Sequence, residues 1–320
     1  MLKKFIFYAI IGTPLVCVAI LTWYISFHTN LLQTTYIDSL RNIYFDCIHF
    51  VDDAYVYKAK PGVCPFSNLE YSIQLSHDQE GFRNPNTLSK RDVVFLGDSH
   101  THGWGVNDDQ TFAHLTQSLT GLKTINLAIA SYATQTELEA LKAYTNGEKV
   151  IVMQYCENDE AENQSSIDLD STNFHATKTK WWKEYISKYF DSKKLGLSVP
   201  LGYFSRHLLA RDFLSKSEVK SAIDKRDINK EAHNFATILA RYPELLYGKK
   251  LILFESNSGG MNSPQFKSAF EAAVKEKYPQ LDLVVLDSSS FLDSSDYYFL
   301  DDHLNPRGHE KIAKVLKPLL

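Results

Sequence analysis

DVVFLGDSHTHGWGV, residues 92–106, is the stretch on which the fold turns. Asp92–Leu96 is a short β-branched apolar run that stops at Gly97, with the length and composition of one buried strand. Asp98 and Ser99 follow where that strand must end. Gly103 and Gly105 then leave the loop free to turn before an amphipathic segment begins near Asp109. A serine at the carboxyl end of a central parallel strand, just ahead of a helix, stands where open α/β sheets place their ligands. The unpaired N–H groups of the helix start point to the same place. Ser and Asp are also ordinary helix caps, so this stretch alone leaves Ser99 between cap and nucleophile.

Outward from it, strand and helix patterns alternate. A helix is expected over Asp109–Leu119 and a strand over Thr124–Leu127. The capping box Thr134-x-x-Glu137 opens a helix to about Asn146, and Val150–Met153 is the third strand. Polar, irregular sequence follows, then helical stretches at Trp181–Phe190, around Leu208–Leu214 and at Lys230–Tyr242. Leu251–Phe254 and Leu281–Leu286 are strands four and five, with a helix over Ser263–Tyr278 between them and a last helix running to Leu316. The pattern predicts an α/β fold: a three-layer α/β/α sandwich on a central five-stranded parallel, flavodoxin-like sheet. A helical insertion at about 160–247 is expected to cover or border the site.

In such a sheet the carboxyl ends of the strands share one edge. Ser99, Ser131 and Asn158 follow strands one, two and three, and Asp301-Asp302-His303 precedes the last helix. An acyl-transfer site needs a nucleophile, a base, a group that orients the base, and donors for the oxyanion. Ser99 supplies the hydroxyl and His303 a base of suitable pKa. Asp301 is placed to hold the imidazole, with Asp302 the adjacent alternative. The backbone N–H groups of Ser99 and Ser131 and the Asn158 carboxamide would meet the oxyanion. His-x-His spacing at His100 and His102, beside Asp98, raises the question of a metal. No further Cys/His cluster accompanies it, so neither metal nor cofactor is expected, and His100 and His102 are expected to line the loop and touch substrate. Trp181 and Trp182 read as packing residues or a sugar platform.

The totals are those of a globular chain. The 320 residues, 44% hydrophobic and 22% charged, allow one sizeable domain or two small ones. A net charge of -4 argues against a nucleic-acid partner. Residues 5–27 are almost wholly apolar and uncharged, and about 23 residues at ~1.5 Å each suffice to cross a bilayer. Lys3 and Lys4 precede the span and no Lys or Arg follows until Arg41, so the tail is expected in the cytoplasm and the remainder outside. No Ala-x-Ala-like cleavage site ends the segment, which favours an uncleaved anchor over a signal peptide. The division expected is 1–28 tip and anchor, 29–90 lead-in or stalk, and 91–320 catalytic-type domain. Cys47 and Cys64 flank a short segment outside the membrane and are expected to form a disulfide.

Four blocks now stand in order: Gly97-Asp98-Ser99, Asn126 with Ser131, Asn158-Asp159, and Asp301-x-His303-Leu304-Asn305. Together they resemble the four blocks of SGNH/GDSL hydrolases, from about Gly81 to the carboxyl terminus. Gly81-Phe82-Arg83 and the apolar amino terminus look like membrane-attached bacterial members of that group. The resemblance implies Ser99 as nucleophile, Asp301 and His303 completing the triad, and Ser131 and Asn158 in the oxyanion hole. It implies an esterase or acyl hydrolase held at the inner membrane with its domain in the periplasm. Small O-acyl groups on envelope glycans are the implied substrates. A glycan O-acyltransferase, or a catalytically weak glycan-binding protein on the same fold, are the alternatives. The sequence departs from the family pattern at Ser131 and Cys156, where Gly is usual, and in an Asp two rather than three residues before His303.

Overall fold

The computed structural model describes residues 46–51, 54–67, 70–84, 91–192, 225–299 and 301–320, with 13, 14, 16, 17 and 44. The apolar stretch 5–27 lies outside the described residues apart from 13, 14, 16 and 17, and so does the Leu-rich piece at 208–214. Among the described residues no helix is long and apolar enough to cross a membrane.

The core is a parallel sheet of β5 (Val93–Leu96), β6 (Thr124–Asn126), β7 (Val150–Tyr155), β8 (Lys250–Glu255) and β9 (Asp282–Val285), in spatial order β6-β5-β7-β8-β9. All four residues of β5 are buried, as expected for a strand covered on both faces. Its side chains alternate between two apolar clusters. Val94 and Leu96 join Ile151, Met153, Leu251 and Leu253 on one face. Val93 and Phe95 join Val152, Ile252 and Phe254 on the other. The first face is covered by α3 (Thr134–Tyr144), α6 (Ile228–Leu239) and α8 (Phe266–Lys277), the second by α2 (Phe112–Thr120) and α9 (Pro306–Leu316). This is the expected three-layer sandwich. The chain order of its strands reverses beside β5, and the crevice at that reversal is where such sheets take ligands.

Between β7 and β8 lie α4 (Asp159–Asp168), α5 (Ser171–Ser192), α6 and the short α7 (Pro243–Leu246). Part of the expected lead-in, residues 29–90, is described. Ile48–Phe50 (β1) pairs with Tyr57–Ala59 (β2), and Gly62–Ser67 (β3) with Ser72–His77 (β4), as two antiparallel hairpins. Tyr44, Tyr57, Phe66, Tyr71, Leu75 and Phe82 all enter the cluster on the first face of the sheet. Their burial there removes apolar area from water and joins the hairpins to that face. Cys47 and Cys64, their Cα atoms 5.9 Å apart, are disulfide-bonded and tie the start of the first hairpin to the second.

Candidate active site

The polypeptide turns sharply after β5. Gly97 has φ +151°, and a Cβ there would run into Thr101 Oγ1 and Gln154 Oε1, so only glycine fits between strand and helix. Asp98 then caps α1 (Ser99–His102) by accepting from His100 N–H at 2.9 Å. Ser99 is thereby fixed at the first helical position, at the rim of the sheet. Asn126, at the end of β6, holds the same turn by donating its amide to Thr101 O at 2.7 Å.

His303 Nε2 lies 2.8 Å from Ser99 Oγ, across 204 residues of sequence. Its Nδ1 lies 2.7 Å from Asp301 Oδ1. Asp302, the alternative orienter, has φ +67°, a conformation Asp tolerates, and its carbonyl accepts from Gly259 N–H at 2.8 Å. Asp301 is therefore the carboxylate beside the imidazole. The ring of Trp104 stacks on His303 with centroids 5.3 Å apart.

Ser99, Ser131, Asn158 and His303 line one cavity of about 470 Å³. Ser131 has φ +63°, the left-handed region. Glycine occupies that region freely, whereas the serine takes the same backbone path at some cost in strain. Around the four, the wall combines aromatic side chains, Tyr44, Tyr57, Tyr132, Phe174, Trp181 and Trp182, with polar ones such as Asp159, Glu162 and Lys178. Lys178 is buried in that wall against Glu162, 2.5 Å away. Trp182 packs edge-on to Tyr57 at 4.8 Å, whereas Trp181 is half exposed.

The two flanking histidines part company. His100 lines the cavity; its Nδ1 is 3.2 Å from Ser256 Oγ, and burial pushes its pKa well down, with His303 nearby adding to the effect. His102, expected to touch substrate, does not reach the cavity. It is fully buried, with Nε2 3.2 Å from His77 Nε2, because the tight turn of α1 directs it into the hairpin side of the core. Cys156 is buried below the site, and desolvation raises its thiol pKa, so it is not poised as a nucleophile. His309 accepts from Phe112 N–H at 3.1 Å through Nδ1 and serves the packing of α2 on α9.

Several residues at the site escaped the sequence reading. Asp301 Oδ2 accepts from Tyr71 Oη and, at 3.2 Å, from Trp104 Nε1. The Arg83 guanidinium is buried and binds the nucleophile loop: Nε pairs with Asp108 at 2.7 Å, Nη1 donates to the carbonyls of His102 and Gly103, and Nη2 to Val106 O. The Gly81-Phe82-Arg83 motif was the only signal for any of these. Nothing periodic in the chain links Tyr71 to a carboxylate 230 residues away.

No family model matches the sequence, and no curated protein matches it. Among solved structures, the chain is similar to a protein assigned to the G-D-S-L lipolytic family from Desulfitobacterium hafniense DCB-2. Identity there is 12%, over 72% of this chain and 100% of that one, with a TM-score of 0.39. It is similar to a psychrotrophic esterase from Pseudoalteromonas sp. at 10% identity, over 72% and 97%, with a TM-score of 0.38. It is similar also to a carbohydrate esterase at 14% identity, over 85% and 81%, with a TM-score of 0.41.

Proposed function

We propose that the chain is a serine ester hydrolase of the SGNH/GDSL type acting through an acyl-Ser99 intermediate. The observation that carries the reading is the unbroken line Asp301 Oδ1–His303 Nδ1, His303 Nε2–Ser99 Oγ, at 2.7 and 2.8 Å. Nucleophile, base and orienting carboxylate are then all within proton-transfer reach.

In the first half-reaction Ser99 Oγ attacks the ester carbonyl carbon while His303 Nε2 takes its proton. The carbonyl oxygen becomes an oxyanion facing the Ser99 and Ser131 N–H groups and the Asn158 amide. The carbon–oxygen bond to the leaving alcohol breaks, and His303 returns the proton to that alcohol. Water then attacks the acyl-Ser99 carbon and gives its proton to His303. The bond to Ser99 Oγ breaks and Oγ recovers the proton, releasing the carboxylic acid. Asp301 holds the imidazole with Nε2 free to accept and stabilises it when charged.

The proposed setting follows from the amino terminus: residues 5–27 as a single-pass inner-membrane anchor, with the domain on the periplasmic side. The proposed substrates are esters of small acyl groups, O-acylated envelope glycans among them. The aromatic side chains in the wall and the 470 Å³ of space beside Ser99 also leave room for an acceptor hydroxyl, which supports glycan O-acyl transfer as a second reading. The deciding assay is hydrolysis of para-nitrophenyl acetate by the detergent-solubilised full chain, with and without an added sugar alcohol. Ser99→Ala is expected to abolish turnover. Full turnover in that variant overturns the reading, and acylated sugar in place of free acid selects transfer.

A further inference from the structure

We propose that Glu70 and Tyr71, at the turn between β3 and β4, are positioning residues that hold the catalytic-type carboxylate of Asp301 in register with His303. The inference rests on the assignment of Asp301 and His303 above. It concerns a hairpin that is not a strand pair of the central parallel sheet.

Two kinds of contact converge there. The Glu70 carboxylate accepts from Phe299 N–H through Oε1 and from Asp301 N–H through Oε2, both at 2.8 Å. It therefore fixes the backbone of the loop that carries Asp301, and does so with charge-assisted bonds, which are the strong ones. The next residue, Tyr71, donates its hydroxyl to Asp301 Oδ2 and so fixes the rotation of the carboxylate itself. With Oδ2 saturated by Tyr71 and Trp104, Oδ1 is left to face His303 Nδ1. Backbone and side chain of one aspartate are thus gripped by two consecutive residues.

The grip has its own support. Phe66 and Tyr71 pack at 5.5 Å, Tyr71 and Tyr298 at 5.0 Å, and Cys64 of the same hairpin is disulfide-bonded to Cys47. Gly105 lets the nucleophile loop come against the Tyr71 ring: a Cβ there would stand 3.0 Å from Tyr71 Cε1. The hairpin thereby touches both the loop of Ser99 and the loop of Asp301.

Tyr71→Phe keeps the ring packing and removes the hydroxyl, and Glu70→Gln keeps one acceptor oxygen where two are used. Both are made in the full chain. Activity is read as kcat per active site titrated with a fluorophosphonate, so that a loss of folded enzyme is counted separately. Each variant is expected to lower kcat per site about tenfold, the effect of one lost bond to a charged group, with KM within twofold. The proton on His303 Nδ1, followed by NMR in histidine-labelled protein without substrate, is expected to move upfield toward an imidazole lacking a carboxylate partner. Unchanged kcat per site and an unmoved resonance in both variants overturn the proposal. A moved resonance in a protein whose Ser99→Ala form still hydrolyses ester would retain the positioning role and reject the hydrolase reading.

Discussion

Replacing Asp301 by Asn makes a sharp prediction because its surroundings dictate which way the amide must lie. On the Oδ2 side stand Trp104 Nε1–H, which can only donate, and the Tyr71 hydroxyl. An NH₂ group placed there would face the indole N–H donor to donor. The Asn oxygen therefore takes the Oδ2 position and the NH₂ faces His303 Nδ1, 2.7 Å from the atom it replaces. That nitrogen must then accept, so the imidazole carries its proton on Nε2, aimed at Ser99 Oγ 2.8 Å away. A base in that tautomer cannot take the serine proton. The lost contributions are general-base catalysis and stabilisation of the imidazolium, together ~10³–10⁴-fold in kcat, or about 4–5.5 kcal/mol. KM and the melting temperature should change little, since volume and both hydrogen bonds on the Oδ2 side survive. The assay is para-nitrophenyl acetate hydrolysis across pH 6–10, with Asp302→Asn as the control expected within threefold of the parent. Retention of more than a tenth of the parent kcat by Asp301→Asn would refute the tautomer reasoning.

Asn158→Ala removes one oxyanion donor and should cost ~10²–10³ in kcat with little change in KM, measured in the same assay. Acid should destabilise the fold through its buried neutral histidines: His309 is lowered from 6.5 to about 3 and His77 to about 4, mainly by burial. Their folded pKa values lie below the unfolded one, so the stability they hold is complete above pH 6.5 and is lost as pH falls from there toward 3. For His309 that is on the order of 5 kcal/mol over the whole range, and His309→Asn should flatten the acid side of a stability curve taken from urea unfolding between pH 4 and 8. Parallel curves for parent and variant would contradict it. Removing the disulfide in Cys47→Ser/Cys64→Ser opens a loop with a sequence separation of 17, and should cost ~3 kcal/mol of unfolding free energy, read in the same denaturant titration.

Much of the sandwich was legible because a parallel strand buried on both faces writes itself as an unbroken apolar run. Val-Val-Phe-Leu at β5 and Leu-Ile-Leu-Phe in β8 are such runs, and the observed strands fall within two residues of those expected. The site was legible for the same reason: strand ends in such a sheet share an edge, so Ser99, Ser131 and Asn158 could be placed together without knowing any distance. His102 was expected to line the loop with His100, but a position in a loop does not fix which way a residue that closes a turn of helix faces, and its side chain meets His77 instead.

The hairpins at 48–77 were not legible as strands. Their burial does alternate, as in Ser72–His77, where Ile73, Leu75 and His77 point inward. Two of those strands are only three residues long, too short for a period to emerge from an aromatic-rich background. Their role at the site, through Tyr71 and Glu70, depends on contacts more than 200 residues apart in sequence, which no local pattern encodes.

The most direct test of the central claim is chemical. The full chain is treated with a fluorophosphonate, digested, and its peptides mapped by mass spectrometry. A serine activated by His303 and Asp301 should carry the single phosphonyl adduct on the peptide containing Gly97-Asp98-Ser99, and His303→Ala should lose it. An adduct on another serine, or equal labelling of Ser99 in His303→Ala, would contradict the account.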